Sequence, residues 1–243
     1  MCHPKCTKRR TLKSIMKRTQ DGWIEEYKRK GALWIHDGNP QRPHALLTSG
    51  KHSNGFFNSR LVIPDEVLLK DAASDLLELL SATGEAEGYD IDVVVGPQTG
   101  ATKLAELISD QVKFYTGEEC LWASPAKNES GEKKSMVFSE KEVRNVLPGQ
   151  LVLLCEDVLT TGGSVDLTAN AVIKAGGITL PFLLVLVNRS GLTEVSGKKI
   201  IALIDRPMPM WAPEDCPLCK EGTKEVLRPK EPKENWERLN APY

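Results

Sequence analysis

The chain has 243 residues, 40% of them apolar, which suits one α/β domain with additions and a sizeable core. Its 32 basic and 33 acidic side chains leave a formal net charge of −1, so no global field draws it to nucleic acid or a membrane surface. The longest apolar stretch, residues 178–187, is too short to span a bilayer and contains Pro181, and the basic first residues lack an apolar signal segment. Six cysteines in such a chain point to reduced thiols and a cytoplasmic setting.

Residues 1–30 are rich in Lys and Arg, and Leu12, Ile15, Met16, Trp23, Ile24 and Tyr27 fall near helical spacing. The pattern predicts a solvated helix packed on the domain rather than a nucleic-acid arm. Residues 31–43, with Gly38, Asn39, Pro40 and Pro43, read as a loop. In residues 44–58, HALLTSGKHSNGFFN, two short β-like runs (45–48 and 56–58) flank a polar turn, as in an ordinary hairpin. An amphipathic helix is predicted over 65–80, with Val67, Leu68, Ala72, Leu76, Leu77, Leu79 and Leu80 as its apolar members. After a loop at 84–89, a strand over 91–95 runs into Gly96-Pro97-Gln98-Thr99-Gly100 before a helix from Thr102. Strands at 120–123 and 135–138 then bracket a polar segment carrying Lys127, Lys133 and Lys134.

Residues 151–164, LVLLCEDVLTTGGS, hold the densest signal. Five apolar residues without alternation suit a strand buried on both faces of a parallel sheet. Glu156, Asp157, Val158 and Leu159 follow, then Thr160, Thr161, Gly162, Gly163 and Ser164, then a helix over 165–175 stopped by Gly176 and Gly177. Glycines at a strand-to-helix turn let successive backbone N–H groups point inward, and the helix N-terminus adds partial positive charge. With the hydroxyls of Thr160, Thr161 and Ser164 this makes a nest for a phosphate. Two carboxylates just before the nest can accept hydrogen bonds from paired sugar hydroxyls, which together describe a ribose 5-phosphate. An acidic βα connection with glycines for tight packing would look the same out of context. Neither G-x-x-x-x-G-K-[ST] nor a G-x-G-x-x-G after a strand is present.

A further buried strand, 178–187, ends in Asn188-Arg189-Ser190-Gly191, and a shorter one spans 199–204. Residues 211–222, WAPEDCPLCKEG, contain a C-x-x-C, chemically half a zinc site. Cys2 and Cys6 could supply the other half if the chain ends meet; a tight turn with buried thiols and no such zinc is expected instead. Residues 223–243 read as a charged, proline-bearing tail.

The 151–164 stretch resembles the phosphoribosyl-pyrophosphate (PRPP) motif of type I phosphoribosyltransferases: an apolar run, two acids, then Thr-Thr-Gly-Gly-Ser. Leu47, Ser49, Gly50, Ser53, Phe56 and Phe57 are similar to the hood segment of orotate phosphoribosyltransferases, and C-P-x-C-x-x-G to the end of one bacterial branch. The resemblance covers about 44–222 and implies a parallel twisted sheet with helices on both faces plus a small N-terminal hood. Residues 1–43 would be a basic helix and loop outside that domain. It makes Gly96 to Gly100 a pyrophosphate loop, and residues 156–164 the PRPP site. It sets Lys51, Phe56, Phe57, Thr160 and Arg189 at the base, and Lys127, Lys133 and Lys134 in a flexible catalytic loop. Mg²⁺, reaching the site through PRPP near Asp157 rather than on protein ligands alone, is the implied cofactor, and a homodimer the implied assembly.

Three departures from the family pattern stand out. Thr48 replaces a lysine that some members carry before the Ser-Gly pair, Asn188 replaces the acid of an Asp-Arg pair, and the R-K-x-x-K-x-H run is missing. The expected reaction is transfer of 5-phosphoribosyl from PRPP to a nucleobase, orotate first, with another base as the alternative. A non-catalytic PRPP-sensing regulator is the other class, though the region before the hood is short for a winged helix.

Overall fold

The computed structural model of the chain describes residues 16–128 and 134–243. Near the N-terminus, α1 (Gln20–Arg29) is followed by β1 (Leu33–Ile35), β2 (His44–Leu46), β3 (His52–Ser53) and β4 (Gly55–Phe57). The next segment holds α2 (Glu66–Ala82), β5 (Val93–Val95), α3 (Thr102–Thr116), β6 (Leu121–Ala123), β7 (Ala126–Asn128) and β8 (Ser135–Val137). Then come β9 (Leu151–Leu159), α4 (Gly163–Ala175), β10 (Ile178–Asn188), β11 (Glu194–Val195) and β12 (Lys198–Asp205). The chain ends with β13 (Met210–Trp211), α5 (Pro217–Glu221), β14 (Val226–Leu227) and α6 (Glu234–Asn240).

The main sheet has the order β11-β12-β10-β9-β5-β6, parallel throughout except for the short edge strand β11. Unbroken apolar runs demand cover on both faces, and here they have it. Leu153 and Cys155 of β9 join one core with Leu69 and Leu76 of α2 and Leu104 and Ile108 of α3; Val152 and Leu154 join another with Val165, Ala169 and Val172 of α4. Each such fully buried side chain stabilises the fold by about 1.5–3 kcal/mol. In β10, Pro181 has no N–H for the ladder, and the register against β9 shifts between Thr179 and Leu183.

Asp65 caps α2 by accepting the Leu68 N–H at 3.1 Å. On the same helix, Asp75 is fully buried and accepts the backbone N–H groups of Lys17 and Arg18 and the Trp23 indole at 2.6, 3.0 and 3.0 Å. Those donors offset its burial and fasten the N-terminal segment to the domain. The described part of the basic stretch is therefore a packed helix, with Trp23 and Tyr27 in the core. Leu12 and Ile15 lie outside the described residues.

The hood departs from the hairpin expected of residues 44–58. β2 pairs with β3, but β4 pairs with β1, which lies inside the segment read as a loop. β2 and β3 also recruit β14 and β13 from the far end of the chain, in the order β13-β3-β2-β14. The charged tail likewise carries a packed element. Leu239 of α6 is fully buried against Trp34, and its carbonyl accepts the Trp34 indole at 2.7 Å and Arg42 at 2.6 Å.

Candidate active site

Because β5, β9 and β10 are parallel, the loops after all three open at one edge of the sheet, the carboxyl edge at which open α/β folds bind ligands. β9 runs through both acids as far as Leu159, and Glu156 and Asp157 are buried. A Cβ on Gly100 would lie 2.7 Å from the Asp157 carboxyl carbon and from both its oxygens. Only glycine lets the 96–100 loop close against that carboxylate, so this loop meets the end of the strand that leads into the 160–164 loop. Glu156 accepts the Asp157 backbone N–H at 3.1 Å. Burial, then the charge of Asp157, lifts Glu156 well above the usual carboxylate range, and Lys230 opposes this only weakly.

Beyond Leu159 the chain turns at Gly162, whose φ of 85° is left-handed and whose missing side chain leaves room for Val195. α4 starts at once, with the Asp166 N–H donating to the Gly162 carbonyl at 3.0 Å. The first N–H groups of that helix have no partners within it. Thr161 and Gly163 are exposed, and Thr160 and Ser164 half-buried.

The 96–100 loop is held from β6. Gln98 donates its backbone N–H to the Pro125 carbonyl at 3.0 Å and its side-chain amide to the Ser124 carbonyl at 2.9 Å. The Ser124 hydroxyl donates to the Gly96 carbonyl at 2.7 Å and meets the Thr102 hydroxyl at 2.7 Å. Ser124 thus shapes the loop, and nothing in its sequence context marked it. Lys103 turns away to Glu66 and Glu106, at 3.0 and 3.2 Å.

Arg189 follows β10 and is 1% exposed. Its guanidinium donates to the Gly55 carbonyl at 3.0 Å and the Ser53 hydroxyl at 2.7 Å, and its Nε is buried without a partner. Burial lowers its pKa to about 10. The residue therefore ties the hood to the sheet. Of the aromatic pair expected at the base, Phe57 turns into the core against Tyr27, with ring centroids 5.3 Å apart. Phe56 stays half-buried beneath Arg189 and Lys230, at 5.9 and 5.8 Å from its ring. Lys230 comes from the tail, where only tertiary structure could reveal it. Lys51 is exposed at the hood turn.

Asn188 has a local structural role. Its amide donates to the Leu192 carbonyl at 2.8 Å and to Asp205 at 3.0 Å, and its oxygen accepts from the Ser190 N–H and hydroxyl. An acid here would face Asp205 with like charge, which accounts for the amide. Part of the expected catalytic loop is a ribbon, β7 with β8. Lys127 is exposed on it, Lys134 is exposed just before β8, and Lys133 lies outside the described residues. The turn expected at C-x-x-C is present at α5, but its thiols face His44 and His52. Cys2 and Cys6 lie outside the described residues. No helix among the described residues is long and apolar enough to cross a membrane.

A parallel sheet, two glycine loops opening at its carboxyl edge and a hood beside them define the class: a type I phosphoribosyltransferase domain. The family model of the phosphoribosyl transferase domain matches residues 67–207. The chain is 36% identical over 199 residues to the orotate phosphoribosyltransferase of Pelotomaculum thermopropionicum, covering 80% of this chain and 93% of that one. To the enzyme of the same name from Heliobacterium modesticaldum it is 32% identical, over 75% and 87%. The orotate phosphoribosyltransferase structure from Aeropyrum pernix superposes with a TM-score of 0.56 at 22% identity, covering 74% of this chain and 91% of that one. That from Mycobacterium tuberculosis H37Rv gives 0.52 at 21%, over 76% and 95%. These two structures share the fold. The chain belongs to the phosphoribosyltransferase family, as a type I domain closely related to orotate phosphoribosyltransferase homologues.

Proposed function

We propose that the chain transfers the 5-phosphoribosyl group of PRPP to orotate, giving orotidine 5′-phosphate and pyrophosphate, as a cytoplasmic homodimer. The observation that carries this reading is the packing of the Asp157 carboxylate on Gly100, which joins the acceptors for a sugar diol to the 96–100 glycine loop. Glu156 and Asp157 accept hydrogen bonds from the ribose 2′- and 3′-hydroxyls. Backbone N–H groups after Leu159, with the Thr160, Thr161 and Ser164 hydroxyls, hold the 5-phosphate. Gly96 to Gly100, with Lys127, Lys133 and Lys134, receive the pyrophosphate; Lys51, Phe56, Thr160 and Arg189 border the base. The ribose C1–O bond breaks with its electron pair leaving on pyrophosphate, and a ring nitrogen of the base bonds to C1 as its N–H proton passes to pyrophosphate or water. Positive charge growing on the ribose lies beside the Asp157 carboxylate, and the hood excludes competing water.

The donor set fits Mg²⁺: two adjacent buried carboxylates, weakly compensated by Lys230, beside a ligand rich in phosphate oxygens. When bound, Mg²⁺ supplies charge neutralisation and a template for PRPP.

One observation favours a second reading, a base other than orotate: the Arg189 guanidinium is engaged by Gly55 and Ser53. A panel of bases with Mg²⁺ and PRPP, read by pyrophosphate release, separates the two. Turnover on orotate alone supports the first reading and turnover on another base the second. No release on any base, with PRPP still bound, would favour the sensing role.

A further inference from the structure

The C-x-x-C turn meets two histidines from the opposite end of the sequence. His44 stands on β2, His52 on β3, Cys216 just before α5 and Cys219 within it. The His44 Nε2 lies 3.2 Å from the His52 Nδ1 and 3.4 Å from each of the Cys216 and Cys219 sulfurs, and the Cys219 sulfur lies 3.3 Å from the His52 Nδ1. All four ligating atoms fall within 4.8 Å of one another.

Pairwise hydrogen bonding does not account for this. A neutral imidazole nitrogen offers one proton or one lone pair, and the His44 Nε2 faces three groups at once. Convergence on a shared centre does. Zinc bonds of about 2.0–2.1 Å to nitrogen and about 2.3 Å to sulfur, at tetrahedral angles, put ligand atoms about 3.3–3.8 Å apart. The four separations just given lie at or just below the lower end of that range, and the other two pairs lie within 4.8 Å. The His44 Nδ1 is buried without a hydrogen-bond partner, so no neighbour sets its tautomer; a metal on Nε2 would.

We propose that His44, His52, Cys216 and Cys219 form a structural Zn²⁺ site that clamps the hood to the C-terminal segment. Two imidazoles and two thiolates in a tetrahedral array select zinc among common divalent ions. All four positions are filled by protein and His44 and Cys216 are fully buried, which suits a structural rather than a catalytic ion. The ion would close a loop of 172 residues between His44 and Cys216. Ser53, next to His52, accepts from Arg189 and donates to the Pro209 carbonyl at 2.7 Å, so the clamp sits one residue from the tie between hood and sheet. This proposal departs from the expectation of metal-free thiols, and it stands independently of the transferase reading.

The test is elemental analysis of the full chain purified without chelator, followed by melting curves. About one zinc per chain is expected, with chelation lowering Tm by on the order of 10 °C or more and added zinc restoring it. Cobalt(II) substitution reads geometry without activity: intense visible bands with thiolate-to-cobalt charge transfer mark a tetrahedral sulfur-bearing site. Cys219→Ser should weaken those bands; where that variant fails to fold, the wild-type cobalt spectrum decides. A metal-free protein whose Tm ignores both chelator and zinc, a pale octahedral cobalt spectrum, or a Cys216–Cys219 disulfide without metal would each overturn the proposal.

Discussion

The two sides of the candidate site are built in opposite ways. On the sheet side, each loop belongs to one contiguous strand-loop-helix unit, and its contacts come from neighbouring units. The hood is assembled from distant pieces: β2 and β3 beside β13 and β14, Trp34 on Leu239, and Phe56 below Lys230. The sheet side rests on a large two-faced core, whereas the hood has a small cluster around Trp34, Ala45, Leu227 and Leu239. A small core needs ties, and those of the hood include Arg189, α6 and the Cys/His cluster. Damage to the sheet-side loops should therefore appear in chemistry, and damage to the hood in stability.

The largest expected effect is on the sheet side. Asp157→Asn keeps the shape but removes the charge that the proposed reaction sets against the ribose. The expected loss in kcat/KM is on the order of 100- to 1,000-fold, with weaker Mg-PRPP binding and near-normal Tm. Near-normal turnover would place the ligand elsewhere.

Leu239→Ala tests the hood in stability alone. Emptying a fully buried leucine site costs about 3 kcal/mol, read as a lower denaturation midpoint. If stability were unchanged, α6 would not be part of the hood's support.

Arg189→Ala lies on the boundary between the two sides. It leaves the Gly55 carbonyl and Ser53 without a charged donor, each bond contributing about 1.5–3 kcal/mol. If Arg189 also reads the base, the KM for the base should rise roughly ten- to a hundred-fold, well beyond that for PRPP. Equal rises in both KM values with a lower Tm would make it a tie only.

Glu156→Gln should give the smallest change in stability, and in the opposite direction. Burial and Asp157 raise the folded pKa of Glu156 above its unfolded value. The native state then keeps a proton that the unfolded chain has released. Stability is full in acid, below the unfolded value, and declines as pH rises through the folded one. The glutamine variant, without ligand, should lose that decline and melt slightly higher than wild type at neutral pH while binding PRPP more weakly. A parallel pH dependence in both proteins would show that Glu156 does not carry the effect.

The same contrast explains what was legible before the structure. Residues 151–164 could be read directly because strand, acids, glycine turn and helix follow one another along the chain. β1 was hidden among Gly38, Pro40 and Pro43, and β14 in a charged tail, because short strands become visible only through their partners. Phe56 and Phe57 are adjacent in sequence, yet alternation in β4 sends one against the hood cluster beside Trp236 and the other into the main core.

By itself the sequence determined the parallel sheet, the two glycine loops and the acids before the second loop. These depend on local periodicity and on backbone freedom at glycine, which each segment carries with it. Tertiary structure decided that Asp157 would rest on Gly100, that Arg189 would fasten the hood, and that Cys216 and Cys219 would face His44 and His52. Such contacts depend on where the sheet brings distant segments together, and their residues carry no local mark of it.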